Sequence, residues 1–380
     1  MENRINQKIA RFLSENCPET PCLVVDLDNI AEAYELLCRY LPNASVYYAV
    51  KANPAAEIIR LLAARGSNFD VASRGEIALC LDNGATAERM SFGNTIKKER
   101  DIAFAYQAGV RLFAFDSEAE LEKLARVAPA ARVFCRILVS CDGADWPLSR
   151  KFGCAPGMAV ELLRKARDFG LDPYGVSFHV GSQQTDLGQW DGAIGAAAQM
   201  FSLLAEADIN LRMVNIGGGF PAHYRGDVPP IDGYARAVTA AITRHFGNHL
   251  PEIIIEPGRS LVGDAGIIQS EVVLISKKGS GDDRRWVYLD VGKFNGLAET
   301  MDESIKYRII TPGRNGASGP VILAGPTCDS ADILYERTDY RLPLGLEIGD
   351  KVEILSTGAY TASYASVGFN GFTPIRTYCI

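Results

Sequence analysis

A chain of 380 residues exceeds the roughly 250–300 at which one hydrophobic core stops growing, so two domains are expected. Its 47% hydrophobic and 22% charged residues are those of an ordinary globular protein. A net charge of -7 argues against a general nucleic-acid or anionic-membrane binder, and no apolar run approaches the ~20 residues of a membrane span.

Met1–Cys17 mixes Glu2, Arg4, Lys8, Arg11 and Glu15 with Ile5, Ile9, Phe12 and Leu13, the spacing of a short amphipathic helix and not of a signal peptide. The nine cysteines are scattered without a CxxC pair, which signals neither a zinc knuckle nor a disulfide framework; the chain reads as cytoplasmic and reduced, without a metal site. Thr20–Leu27 reads as a strand, and Asn29–Leu41 as a helix closed by Pro42. Short apolar runs then alternate with amphipathic ones, the rhythm of a parallel sheet with helical crossovers. Strands are predicted at Val46–Lys51, Asn68–Ala72, Arg89–Phe92, Arg111–Phe115, Arg132–Val139, Gly175–Val180, Met213–Ile216 and Glu252–Glu256. Helices are predicted between them, at Ala55–Ala64, Arg74–Asn83, Ile96–Gln107, Ser117–Val127, Met158–Phe169, Leu187–Ala207 and Ile231–Phe246. This is the count of an α/β fold closed into a (β/α)8 TIM-like barrel. An open doubly wound sheet is the rival, but no GxGxxG follows the first strand.

Past Gly258 the long helices stop. Gly263–Ser276, Trp286–Val291, Val321–Ala324 and Lys351–Leu355 are strand-like runs, with Gly279–Arg285 and Pro312–Pro320 as polar loop tips. Residues 22–260 are therefore read as the barrel and 261–380 as a mostly β domain, to which residues 1–27 can add a strand.

In a barrel of this kind, polar residues at the C-terminal strand ends are the functional ones. Lys51 ends the apolar run of VYYAVKANP before Asn-Pro breaks the chain, and a buried lysine there is costly unless paired, deprotonated or covalently used. The other reading is a lysine that snorkels past the strand end. Asp70 lies in FDVAS, Arg136 within the fifth strand and His179 at the close of the sixth. Gly217, Gly218 and Gly219 follow the seventh, either as a flexible loop or as a place where backbone amides approach a phosphate. Glu256 follows three isoleucines, where a buried carboxylate is costly without a cationic or N–H partner, and either Arg259 or a basic nitrogen of a ligand is expected to pair with it. A buried lysine, a phosphate cradle, a flat histidine and a carboxylate seeking a basic nitrogen together describe a site for pyridoxal 5′-phosphate (PLP).

YYAVKANP, FDVAS, SFHVGSQ, IGGGFP, EPGRS, GPTCDSAD and GAYTASYASVGFNGF occur in that order between about Pro21 and Phe372. Together they resemble the PLP-dependent decarboxylases built on an alanine-racemase-like barrel plus a β domain. Within that superfamily the motifs are most similar to those of the ornithine decarboxylases and their lysine/ornithine relatives. The resemblance implies that Lys51 condenses with the cofactor aldehyde, His179 stacks on its ring and Glu256 pairs with its nitrogen. Asp70 and Arg136 support the lysine and the ring's surroundings. Ser182, Gly217–Gly219, Gly258, Arg259 and Tyr360 are implied to hold the phosphate. Cys328 and Asp329 are implied to come from the neighbouring subunit of a homodimer, with Phe369 lining the same pocket. The cysteine returns a proton after carbon dioxide leaves, as a thiol of ordinary pKa about 8.5 is able to do at neutral pH. The aspartate receives the distal ammonium of the substrate. A segment that reads the same distal end in the family matches FNGLAETMDES, where Glu299, Asp302 and Glu303 are candidates and Glu299 is preferred.

The implied reaction is decarboxylation of a basic amino acid, L-ornithine to putrescine first and L-lysine to cadaverine also. Arginine decarboxylase and diaminopimelate decarboxylase share the chemistry, although the latter family has a CESGD-like segment where this chain has CDSAD. A catalytically silent regulatory paralogue is the non-enzyme alternative, disfavoured because Lys51 and Cys328 are both present. A barrel-only PLP carrier is much shorter and lacks the β domain.

Overall fold

The computed structural model of the chain describes residues 2–146 and 151–380. These form two compact units. The first takes the chain up to Ile30 together with Ala222–Asp227 and Arg259–Ile380; the second takes the described residues of Ala31–Pro221 and Val228–Gly258. The barrel unit thus begins at Ala31, not at residue 22, because Cys22–Val25 is hydrogen-bonded into the β-rich unit.

The barrel unit is a closed ring of eight parallel strands: Met213–Asn215, Glu252–Ile255, Ala44–Ala49, Asn68–Val71, Met90–Phe92, Leu112–Phe115, Arg132–Arg136 and Asp172–Ser177. All eight expected strands are present, each within a few residues of its expected bounds. Tyr47, Leu112, Ala114, Phe134, Met213 and Ile254 pack into one cluster with Tyr174. Side chains from six strands meet only in the barrel interior, so this cluster is the interior layer. Side chains alternate along a strand, so residues two positions on form the next layer toward the C-terminal strand ends. That layer includes Ala49, Arg136, Asn215 and Glu256, with Asp70 opposite Ala49 in register. The layer is polar because the strand sequences turn polar there.

The helix Arg74–Asp82 begins at a side-chain cap. Ser73 accepts a hydrogen bond from Glu76 N at 3.2 Å, and Glu76 Oε2 accepts one from Ala72 N at 2.6 Å, a reciprocal cap just past Asp70. No helix among the described residues is long and apolar enough to cross a membrane.

In the β-rich unit an eight-stranded sheet carries the order Ile309–Ile310, Lys351–Leu355, Gly266–Ser276, Arg285–Leu289, Ser318–Ala324 and Ile333–Pro343. Cys22–Val25 adds to it, antiparallel to the start of Gly266–Ser276 and parallel to Arg376–Cys379. Ile9 and Leu13 of the helix Glu2–Asn16 bury against Cys22, Val24, Ile267 and Leu355.

Candidate active site

At the barrel rim Lys51 lies not in the strand but in a single helical turn, Val50–Ala52, just beyond Ala44–Ala49. The chain must leave the strand before Asn53-Pro54, and the Tyr48 hydroxyl donates to Asn53 O at 2.8 Å to hold the turn. The consequence corrects the buried-lysine expectation: Val50 and Ala52 are buried, but the Lys51 side chain is 50% exposed. Its Nζ stands 3.7 Å from Asp70 Oδ2, and Asp70 is only 5% exposed. Burial pushes the Asp70 carboxyl above the usual range, and the cations of Lys51 and Arg136 oppose the shift.

His179 follows the strand Asp172–Ser177 by two residues. Its Nδ1 accepts a hydrogen bond from Gly181 N at 3.0 Å, which leaves the proton of a neutral ring on Nε2. Burial, then the nearby Arg136 and Lys51, hold its pKa well below the ordinary value. The ring is therefore neutral at physiological pH. Glu256 moves the other way. Burial and the Asp70 charge push it up to about 7, while Lys51, the Asn215 amide and Arg136 restrain the rise. One rim thus holds an accessible amine, a neutral flat ring and a carboxyl poised near neutrality.

Asn215 was not anticipated. It is fully buried at the end of Met213–Asn215 and touches two members of the site. Its Nδ2 donates to Glu256 Oε1 at 2.5 Å, and its Oδ1 accepts from Gly217 N at 2.9 Å. The available signal was parity: Met213 faces the interior, so a polar residue two positions on faces the rim.

The glycine loop is built against the rim itself. A Cβ on Gly217, at φ +69, would strike Phe178 O; on Gly218 it would meet Glu256 O at 2.6 Å, and on Gly219 Gly181 O at 2.7 Å. Close approach of the loop to its own barrel is what demands glycine here. The Gly217 amide is committed to Asn215, whereas the Gly218 and Gly219 amides have no partner among the described residues. Two N–H groups without a partner among the described residues, on a loop that no side chain can fill, suit a phosphate. The amine, the flat neutral ring, the near-neutral acid and these amides fit PLP. Ser182 opens the short strand Ser182–Gln184, paired with Ala144–Trp146, and Gly258 is buried in the same unit.

The β-rich unit carries the remaining expected residues. Arg259 is buried; it donates to Glu299 Oε1 at 2.6 Å and Oε2 at 2.7 Å and to the Tyr224 hydroxyl at 2.7 Å, and its guanidinium lies 4.9 Å from the Tyr360 ring centroid. Arg259 is thus the partner of Glu299, and both oxygens of Glu299 are occupied. Glu303 is equally committed. Burial raises its pKa, but hydrogen bonds from Thr338 Oγ1 and the backbone N–H groups of Arg337, Glu336 and Thr338 bring it down to about 2. Of the three acids in that segment, Asp302 alone is exposed, whereas Glu299, the preferred candidate, is buried and engaged by Arg259.

Cys328 and Asp329 lie exposed on the loop after Ser318–Ala324. Cys328 N donates to Asn370 Oδ1 at 3.1 Å, next to Phe369, whose ring packs 5.0 Å from that of Phe294. Asp332 is the structural acid of this loop: buried, it accepts from Lys293 N, Thr327 N and Thr327 Oγ1 at 2.7 to 3.1 Å.

The family described as pyridoxal-dependent decarboxylase, pyridoxal binding domain, matches residues 27–263. The lysine/ornithine decarboxylase of Selenomonas ruminantium is 36% identical over 97% of this chain and 91% of its own length. Among solved structures, a lysine/ornithine decarboxylase of Vibrio vulnificus complexed with cadaverine superposes with a TM-score of 0.87 at 30% identity, covering 98% of both chains. The arginine decarboxylase of Paramecium bursaria Chlorella virus gives a TM-score of 0.89 at 26% identity, covering 99% of this chain and 100% of that one.

Proposed function

The chain belongs to the PLP-dependent decarboxylases of basic amino acids, and on that premise we propose that its principal substrate is L-ornithine, released as putrescine, with L-lysine to cadaverine as a slower second reaction. One observation carries the reading. The exposed carboxyl groups on the loop of Cys328 and on the segment of Glu299 are Asp329 and Asp302, which suit a distal ammonium and not a second carboxylate. That weighs against diaminopimelate. Ornithine and lysine differ by one methylene, which supports only about 10- to 200-fold discrimination.

PLP, when bound, supplies an aldehyde that condenses with amines and a ring that accepts the electron pair left by bond cleavage. The chain's own residues do the rest. Lys51, oriented by Asp70, presents its amine at the rim. His179, kept neutral and fixed through Nδ1, offers a flat face to the ring without adding a charge. Glu256 would pair with a protonated ring nitrogen, a cation that favours the ionised form of the acid. The Gly218 and Gly219 amides would hold the phosphate. Cys328 returns a proton to the substrate carbon, and Asp329 binds the distal ammonium, both across the interface of a homodimer from the partner copy. The exposure of this pair on a loop braced by Asp332 and Asn370 supports that role.

The test is a carbon dioxide release assay on L-ornithine, L-lysine, L-arginine and meso-diaminopimelate with identification of the amine product. Ornithine is expected to give the highest kcat/KM and lysine a value within about 200-fold of it. Preferential turnover of arginine or diaminopimelate overturns the assignment.

A further inference from the structure

A buried asparagine amide has four hydrogen-bonding positions, and leaving them unpaired is costly. Asn215 spends two of them on different parts of one site. A backbone N–H only donates, so the group facing Gly217 N at 2.9 Å must be the carbonyl Oδ1. That leaves Nδ2 for Glu256 Oε1, which accepts it at 2.5 Å. The third side of the figure is a backbone bond, Glu256 N to Gly217 O at 2.8 Å. Asn215, Gly217 and Glu256 therefore close a ring of three hydrogen bonds. Moving the acid moves the glycine loop.

We propose that Asn215 is a positioning residue for the cofactor: a single buried amide that aims the Glu256 carboxylate at the ring nitrogen while locking that acid to the loop offering amides to the phosphate. The inference rests on the reading of Glu256 as the partner of the ring nitrogen. It adds a residue that bonds both to the acid assigned to the ring nitrogen and to the loop assigned to the phosphate, and so fixes the distance between them.

The choice of asparagine follows from the charges around it. Glu256 already feels the Asp70 carboxylate, with Lys51 and Arg136 as the nearby cations, and a Cβ on Gly218 would stand 3.4 Å from His179 Nε2. A neutral amide supplies a donor to Glu256 at every pH without a third negative charge. An aspartate at the position does so only while protonated, since two carboxyl groups in contact hold one proton between them.

The experiment titrates the full chain with PLP and reads the dissociation constant of Asn215→Ala and Asn215→Asp from about pH 6 to about pH 9. Asn215→Ala is expected to bind PLP about 10- to 100-fold more weakly than wild type across the range, the effect of losing a hydrogen bond to a charged group. Asn215→Asp is expected to stay within about threefold of wild type at the acid end, where its carboxyl donates to Glu256 and accepts from Gly217, and to weaken as the pH rises. A packing role would not produce that pH dependence, and Asn215→Asp keeps the test open should Asn215→Ala fail to fold. Near-wild-type affinity in Asn215→Ala, or a pH response in Asn215→Asp identical to wild type, overturns the proposal. Glu256→Gln separates the two levels. If Glu256→Gln weakens PLP and the Asn215 variants do not, only the role of Asn215 falls; if Glu256→Gln binds PLP like wild type, the ring-nitrogen reading falls with it.

Discussion

In the β-rich unit the Glu299 carboxylate takes a bidentate pair of hydrogen bonds from Arg259, and both side chains are nearly sealed from solvent. At the barrel rim Glu256 has one neutral donor, Asn215, and a second carboxylate, Asp70, close enough to raise its pKa to about 7. The same side chain is paired with its cation in one region, and in the other Lys51 and Arg136 only partly offset the cost of burial and of Asp70. A carboxyl left incompletely compensated is unfavourable for the protein alone, yet it is an arrangement that suits a protonated ring nitrogen. The β-rich unit uses its acid for cohesion, and on the proposed reading the barrel reserves its acid for the cofactor.

The sharpest way to break this comparison is to remove Lys51, the amine proposed to anchor the cofactor beside the reserved acid. Lys51→Ala is expected to lose turnover by on the order of 10³-fold or more, the scale seen when a covalent catalytic group is removed, and to lose the yellow absorbance of lysine-bound PLP. A variant that keeps that absorbance would place the attachment elsewhere. Cys328→Ala is expected to lower kcat by about 10²- to 10⁴-fold, the usual worth of a positioned proton donor, with a smaller change in KM. Mixed with Lys51→Ala, it is expected to recover about a quarter of wild-type activity, because half of the randomly paired dimers hold one intact site of two. Exchange of subunits without recovery rules out sites shared across a dimer.

The next effect belongs to the β-rich unit. Glu299→Ala leaves Arg259 buried and uncompensated, a loss of about 3–5 kcal/mol of stability by chemical unfolding. A rise in KM for ornithine at unchanged stability would instead return Glu299 to the substrate.

Much of this architecture was legible because parallel strands buried on both faces read as short apolar runs. The polar rim was legible for the same reason, as Lys51, Asp70, Arg136, His179 and Glu256 interrupt or end such runs. What escaped was set by contacts distant in sequence. The strand Ile333–Pro343 is broken in pattern by Glu336, Arg337, Thr338 and Asp339, and Glu303, some thirty residues earlier, takes the N–H groups of three of them. Nothing local shows that Arg259 meets Glu299 forty residues on. Lys51 was misjudged as buried because Asn53-Pro54 draws it out of the strand into a turn. Asn215 was passed over because its partner Glu256 lies 41 residues on, so that parity with Met213 showed where it faces but not what it bonds.

The smallest effect is the cost of the reserved acid itself. Glu256 has an ordinary value of 4.5 and sits at about 7 in the folded chain, chiefly through burial and then Asp70. Between those two values the folded protein binds a proton that the unfolded chain releases, so the stability of the cofactor-free chain falls as pH rises through the window. At about 1.4 kcal/mol per pH unit, the full penalty above pH 7 is about 3 kcal/mol at most. Glutamine is neutral throughout and still accepts the Asn215 hydrogen bond. Cofactor-free Glu256→Gln is therefore expected to match wild type near pH 4.5, to exceed it by up to about 3 kcal/mol above pH 7, and to fall less steeply between. With PLP bound the order reverses, because only the carboxylate holds the protonated ring nitrogen. Urea unfolding at a series of pH values, with and without PLP, measures both. Equal slopes in the two cofactor-free proteins would assign the titration to Asp70 and end the contrast between a reserved acid and a satisfied one.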